Sequence, residues 1–137
     1  MPTYLREDKK PVVQFDARLE LSPFALFRRL TKDRAPLLID IQAGGARWTL
    51  QGAESHPEGD WSPSTIDQEA VVFDADGTAA VRLAGRLQAE GYTHVRALFG
   101  GLELWQFALD PKVVGDETFL VEIGSENEPP RGETPNL

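Results

Sequence analysis

The sequence contains no cysteine and only two histidines, and both scarcities exclude particular kinds of chemistry. Without thiols the chain has no disulfides, no thiolate metal ligands and no cysteine nucleophile. His56 and His94 are too far apart in sequence to form a metal motif, and His56 has no Ser or Cys partner at a recognisable spacing.

Basic residues are also scarce, since 14 Lys and Arg stand against 22 Asp and Glu and give a net charge of -8. Phosphate binding requires a local excess of Lys and Arg, so we expect no nucleic-acid partner and no docking on anionic membranes. No apolar run approaches the roughly 18 residues of a spanning helix. The polar residues 1–10 do not resemble a signal peptide. We expect a cytoplasmic protein without a cofactor, whose partner is a protein or a small ligand.

The 137 residues are 41% hydrophobic and show alternating strand and helix patterns. Short apolar runs at 36–41 and 70–73 are typical of strands that are buried on both faces, and 94–98 predicts a third strand. Ser22 and Pro23 are good N-terminal signals for a helix, a second helix is predicted from Thr78 to Glu90, and Gly91 suits its C-terminal end. A short third helix follows Gly100. This order predicts a three-layer α/β fold with a mostly parallel central sheet flanked by helices.

Composition divides the chain into four parts. Residues 1–20 are predicted to be an N-terminal extension with a short edge strand near Val12, and 21–110 the α/β domain. An extra strand is predicted within 111–123, through Phe119, Val121 and Ile123. Residues 124–137 carry almost no apolar side chains, so we expect a disordered acidic tail. The excursion from Gln42 to Gln68 is too long for a simple loop and is expected to hold a short strand at 48–50.

Several segments resemble successive landmarks of the rhodanese family in order and spacing, from about residue 21 to 109. They are Ser22-Pro23 with its helix, Leu37-Leu38-Ile39-Asp40-Ile41, Gln51-Gly52-Ala53, Val71-Val72-Phe73, Gly91-Tyr92-Thr93-His94-Val95 and Leu98-Phe99-Gly100-Gly101-Leu102-Glu103-Leu104-Trp105. The last is the most specific, because it is similar to the family's glycine pair followed by a helix with a Trp. The resemblance implies a single rhodanese-like domain.

The resemblance also implies that the sulfurtransferase chemistry is lost. Family members carry a Cys at the start of the loop after the second buried strand, and a ring of backbone N–H groups stabilises its thiolate. The corresponding loop here is degenerate: Asp74 stands at the Cys position, Ala75 and Ala79 replace basic residues, and Asp76, Gly77 and Thr78 complete it. A carboxylate cannot form a persulfide, and two acids repel anions. We therefore expect a catalytically inactive domain that serves as a binding or regulatory module.

Two further landmarks depart from the family pattern. Gln42 follows Asp40-Ile41 where an Arg is common, and Thr49-Leu50-Gln51 replaces a His-Ile-Pro segment before the Gly-Ala pair. These changes bear on substrate binding more than on the fold.

A rival hypothesis rests on the residues that the loop does contain. Asp74-Ala75-Asp76-Gly77-Thr78 matches the Asp-x-Asp-Gly-Thr motif of the haloacid-dehalogenase phosphatases, in which the first Asp is the nucleophile, the second a general acid/base, and Mg²⁺ offsets the charge. Asp40 could supply a third carboxylate. In that family the motif follows the first strand, whereas here about half of the chain precedes it, so the Mg²⁺-dependent phosphatase is the alternative.

Two aromatic residues of the excursion are candidates for binding. Trp48 and Trp61 flank its least regular segment, and Trp is favoured at the energetic centres of interfaces. Both could instead cover the core, which is the more ordinary role of Trp. His56, beside Pro57, could reach the mouth of a pocket and completes the set of predicted binding residues.

Overall fold

The computed structural model describes residues 3–5, 11–13, 15–32, 34–110, 112, 115 and 118–123, the first two ranges by their backbone alone. Its strands and helices, in chain order, are β1 (Thr3–Leu5), β2 (Pro11–Val13), β3 (Glu20–Leu21), α1 (Pro23–Thr31), β4 (Leu37–Asp40), β5 (Trp48–Leu50), β6 (Glu54–Ser55), a 3-10 turn (Pro57–Gly59), β7 (Ala70–Phe73), α2 (Thr78–Ala89), β8 (Val95–Leu98), α3 (Gly101–Ala108) and β9 (Leu120–Glu122).

The central sheet has five strands in the order β3-β8-β7-β4-β6, and each of its four pairings is parallel. Two small antiparallel pairs, β1-β2 and β5-β9, lie outside this sheet. Helices flank both faces, which confirms the three-layer α/β fold predicted from the order of strands and helices. None of the helices in the described ranges is long and apolar enough to cross a membrane.

Alternation along the buried strands builds two hydrophobic clusters, one on each face of the sheet. On one face Ile39 and Val72 pack against the apolar side of α2. On the other face Leu38 and Val71 join α1 and α3, with the fully buried Trp105 at the centre. The inner strands are therefore covered on both faces, which explains why their sequences are continuous apolar runs.

The helix ends follow the signals in the sequence. The Ser22 hydroxyl accepts a hydrogen bond from the Ala25 amide at 3.2 Å and caps α1, and Pro23 occupies the first helical position. Gly91 adopts a φ of 107° directly after α2, where a residue with a side chain would be strained.

The structure adds three strands that the patterns did not predict, β1, β3 and β6, whereas the edge strand expected near Val12 is present as β2 and pairs with β1. Strands β3 and β6 have two residues each, too few for a period of two to be visible, and their pairing with β8 and β4 defines them. The central sheet thus includes Glu20, one residue before the predicted start of the domain. The strands expected near 48–50 and within 111–123 are present as β5 and β9, but they pair with each other. The predicted tail, 124–137, lies outside the described residues.

Candidate functional site

The loop singled out in the sequence lies at the carboxyl end of β7, beside the end of β4. Asp40 and Phe73 are register partners in the two strands, and the Ile41 amide donates to the Phe73 carbonyl at 2.9 Å. Asp40 and Asp74 therefore lie at the same edge of the sheet, where α2 also begins. Ligand sites of open parallel sheets form at such edges.

The Asp74 carboxylate occupies the centre of its own loop. One oxygen accepts a hydrogen bond from the Gly77 amide at 2.7 Å, and the other accepts from the Ala79 amide at 3.0 Å. The side chain is buried, with the residue 8% exposed. A ring of backbone N–H groups at a helix N-terminus normally attracts an external anion. Here the residue at the start of the loop supplies that anion.

Burial sets the protonation of this group. It raises the pKa of Asp74 above its ordinary value of 3.8, the hydrogen bonds from the loop amides oppose the rise, and the nearby charge of Asp76 adds to it. Asp76 is exposed and behaves oppositely, because the Thr78 amide and hydroxyl both donate to it and lower its pKa. Together the two carboxylates accept from three consecutive amides of the sequence Gly77-Thr78-Ala79.

The glycine pair Gly100-Gly101, at the start of α3, holds the backbone of the loop in place. At the start of α3, the amides of Leu102 and Glu103 donate to the carbonyls of Asp74 and Ala75 at 3.0 and 2.9 Å. Gly101 has a φ of 64°, and a Cβ there would lie 2.5 Å from the Ala75 carbonyl oxygen. Only glycine permits this close approach, so the pair couples the backbone of the loop to α3.

Asp40 is also buried, and its hydrogen bonds organise the excursion that follows β4. Its carboxylate accepts from the Gln42 amide at 2.8 Å, the Gln42 side chain at 3.1 Å and the Thr49 hydroxyl at 2.6 Å. Gln42 and Thr49 stand at positions where the sequence departs from the rhodanese pattern. The two departures are therefore linked, since both residues satisfy one buried carboxylate.

The three carboxylates considered for a metal site point to different partners. Asp74 binds the amide ring, Asp76 binds Thr78, and Asp40 binds Gln42 and Thr49. No group of three or more metal-ligating side chains forms within the ranges that the structure describes. The arrangement does not fit the coordination that the phosphatase hypothesis requires.

An open cleft of about 500 Å³ lies over the loop. Its walls are largely small residues, and its lining carries the carboxylates of Glu58, Asp74 and Asp76; the remaining lining residues are Ile41, Gln42, Ala43, Gly44, Gly45, Ala46, Ala75 and Ala79. None of these is a cation. The lining itself is therefore acidic, and Arg82, whose charge helps to lower the pKa of Asp76, lines an adjoining depression.

The residues predicted to bind a partner are not gathered at this cleft. Trp48 is half-buried against the cluster under α1 and α3, with the Arg47 guanidinium 5.3 Å from its ring centre. Trp61 packs against the cluster under α2, on the other face of the sheet. His56 lies between Trp61, at 6.4 Å between ring centres, and the carboxylate of Glu54, at 3.2 Å. The structure thus brings together His56 and Trp61 but separates both from Trp48.

Solved structures with rhodanese folds resemble this chain along about two thirds of its length. The rhodanese-like domain of an Anabaena protein is 22% identical, has a TM-score of 0.57, and is covered over 74% of its length by 65% of this chain. A thiosulfate sulfurtransferase from Pseudomonas aeruginosa is 23% identical, with a TM-score of 0.56, and 66% of this chain covers 19% of it. A Rhodopseudomonas palustris protein of unknown function, described as a possible tyrosine phosphatase, is 18% identical, with a TM-score of 0.57 and coverages of 67% and 82%.

No protein-family model matches the chain, and no curated protein matches it. The likeness to solved structures and the parallel sheet nevertheless agree on the architecture. The chain has the rhodanese-like α/β fold in a single small domain, as the landmarks in the sequence predicted.

Proposed function

We propose that this chain is a catalytically inactive rhodanese-like domain that binds a protein partner or a small ligand through the cleft over Asp74. The observation that carries the proposal is the buried Asp74 carboxylate, which accepts hydrogen bonds from the loop amides of Gly77 and Ala79. The chain supplies its own anion at the place where an active domain would hold a thiolate or a transferred group.

Sulfur transfer needs a nucleophile that can carry sulfur and donors that can stabilise an anion. A carboxylate cannot form a stable persulfide, and the chain has no cysteine elsewhere. The amides that would stabilise an anionic substrate already bind Asp74. Loss of both requirements in one substitution supports the absence of turnover.

The alternative is the Mg²⁺-dependent phosphatase, which the Asp-x-Asp-Gly-Thr motif favours. Asp74 would have to leave the amide ring before it could attack a phosphate ester, and Asp40 would have to release the Thr49 hydroxyl to ligate a metal. One relative of the same fold is described as a possible tyrosine phosphatase, but at 18% identity the likeness concerns the fold. The hydrogen bonds favour the inactive module.

The catalytic half of the proposal is tested by two assays. Sulfur transfer from thiosulfate to cyanide, and Mg²⁺-dependent hydrolysis of a generic phosphate ester, are measured for the wild type and Asp74→Asn. We expect no turnover in either assay beyond the rate without protein. Phosphatase turnover that disappears in Asp74→Asn would overturn the proposal and make Asp74 a nucleophile.

The binding half is tested by NMR with three fragments of different charge: ethylguanidinium, N-methylacetamide and sulfate. We expect the cationic or the neutral fragment to shift the amides of Gly44, Ala75 and Ala79, and sulfate to leave them unchanged, because the cleft is lined by carboxylates. Ala75→Trp should fill the cleft and abolish the shifts, whereas Ala89→Trp, on the exposed end of α2, should not. A binding role for this cleft would be contradicted if only sulfate shifted these amides, or if none of the three fragments shifted them.

A further inference from the structure

A second concave surface lies on α1, on the other face of the sheet from α2. It has a volume of about 280 Å³ and is lined by Leu21, Ala25, Arg28, Arg29, Lys32 and Arg34, which we call the basic pocket. A smaller depression shares Leu21 and Arg29 and adds Glu69, His94 and Arg96. Arg and Lys thus supply five charges to this surface and Glu69 one, although the whole chain carries a net charge of -8.

One cation of the basic pocket, Arg29, is bound to two other parts of the fold. Arg29 donates from Nε to the Arg34 carbonyl at 3.0 Å and forms an ion pair with Glu69. These contacts join the end of α1 to the segment that follows it and to the residue before β7. Among the described residues, no carboxylate lies within ion-pair distance of Arg28, Lys32 or Arg34. Within the part of the chain that the structure describes, Arg28, Lys32 and Arg34 are therefore three exposed cations on one concave surface.

The helix dipole accounts for only part of this charge. Cations in the last turn of a helix are stabilised by its negative end, which is sufficient reason for Arg28 and Arg29. Arg34 lies beyond the end of α1, and Arg96 belongs to β8. The dipole of α1 therefore does not stabilise these two cations as it stabilises a residue of the last turn. Arg34 nevertheless lines the basic pocket, and Arg96 lines the smaller depression beside it.

We propose that the basic pocket docks an acidic peptide segment of a partner protein. Arg28 lies in the last turn of α1 and Lys32, four residues later, is its C-cap, so the two cations are one helical turn apart, about 5–6 Å between Cβ atoms. Alternate residues of an extended peptide are separated by about 6.6 Å, so a Glu-x-Glu segment can place one carboxylate on each cation. Leu21 and Ala25 line the same pocket and can contact the aliphatic parts of the two Glu side chains.

Charge and lining favour this occupant over a nucleic acid or a small anion. A nucleic acid would be repelled by the net charge of the chain, and no aromatic side chain lines the basic pocket for base stacking. The exposed cations Arg28, Lys32 and Arg34 extend from the last turn of α1 into the segment after it, which suits an elongated ligand better than inorganic phosphate.

The experiment is fluorescence anisotropy of the full chain with a labelled peptide, acetyl-Gly-Glu-Leu-Glu-Leu-Glu-Gly-amide, over a range of salt concentrations. The same peptide with Gln in place of Glu, inorganic phosphate and a single-stranded oligonucleotide are the alternative probes. We expect binding of the Glu peptide that weakens with salt, and about tenfold weaker binding for Arg28→Glu with Lys32→Glu. Arg28→Gln with Lys32→Gln should weaken binding in the same direction.

The matched control reverses Arg82 and Arg86 to Glu, two exposed residues with the same spacing and total charge change on α2. This variant should bind the Glu peptide nearly as well as the wild type. Equal loss in both double variants would overturn the proposal, because net charge alone would then explain binding. It would also be overturned if the Gln peptide bound equally well, or if only phosphate or the oligonucleotide bound.

Discussion

Replacement of Asp74 by alanine empties the amide ring, and its cost can be derived from the two hydrogen bonds lost. The Gly77 and Ala79 amides would lose their acceptor at a buried position. Loss of an N-terminal capping side chain costs about 0.5–2 kcal/mol, and a buried donor left without an acceptor costs about 1–3 kcal/mol. Removal of a buried charge offsets part of this loss. We expect Asp74→Ala to lower the free energy of unfolding by about 2–3 kcal/mol.

An external anion should restore part of the lost stability, because the vacated ring again presents free N–H groups at the start of α2. At a sulfate concentration of about ten times its dissociation constant, binding to the folded state alone returns about 1.4 kcal/mol. In the wild type the ring is filled, so sulfate should add only the general stabilisation that it gives to any folded protein.

The assay is urea denaturation followed by the fluorescence of the tryptophans, which include the fully buried Trp105, in sulfate and in chloride at equal ionic strength. Asp76→Ala is the control, since it removes an exposed neighbouring carboxylate and frees only the Thr78 amide, while Asp74 still accepts from Gly77 and Ala79. The reasoning is refuted if Asp74→Ala is as stable as the wild type. It is also refuted if sulfate stabilises Asp74→Ala no more than Asp76→Ala.

Three further predictions concern the pKa of Asp74, the glycine pair and the second buried carboxylate. Burial raises the pKa of Asp74 above 3.8, so the pH-dependent part of its contribution to stability is fully present below 3.8 and is lost as pH rises through the raised value, while the hydrogen bonds from the ring remain. Urea denaturation at several pH values should show the stability of the wild type relative to Asp74→Asn growing from pH 7 towards 4. Gly101→Ala should cost about 3 kcal/mol, from the positive φ and the contact with the Ala75 carbonyl, and Gly44→Ala, with open space around it, under about 0.5 kcal/mol. Asp40→Asn replaces one acceptor oxygen by a donor, so hydrogen exchange at β5 should accelerate by about tenfold while exchange at α2 stays near the wild-type rate.

Sequence patterns identified the central fold because its inner strands and its helices carry strong local signals. Continuous apolar runs marked β4 and β7, and Ser22 and Gly91 marked helix ends that the structure confirms. Strands β3 and β6 carry no comparable signal, because two residues cannot display a period and both strands exist only through pairing. The mutual pairing of β5 and β9 depends on contacts between distant segments, which no local pattern encodes.

The site could be located from the sequence, but its internal contacts could not. Alignment of the motif placed Asp74 at the start of the loop, and the two acids were expected to repel anions. That the Asp74 carboxylate itself fills the amide ring depends on the curvature of the backbone up to Ala79, which residue types do not specify. A signal for the Asp40 network did exist, since Gln42 and Thr49 both depart from the family pattern and both bind that carboxylate.

The chemistry of residue 74 explains how the loop can keep its shape without a bound anion. The amides at the start of α2 require an acceptor, since a buried N–H group without one is costly. An aliphatic residue at position 74 would leave them unsatisfied unless a ligand were bound, whereas Asp satisfies them in every molecule. The same substitution removes the nucleophile and gives the cleft a negative charge. In the proposed function, retention of the fold, absence of sulfur transfer and a preference for non-anionic ligands have this one physical cause, and each is testable apart from the basic pocket on α1.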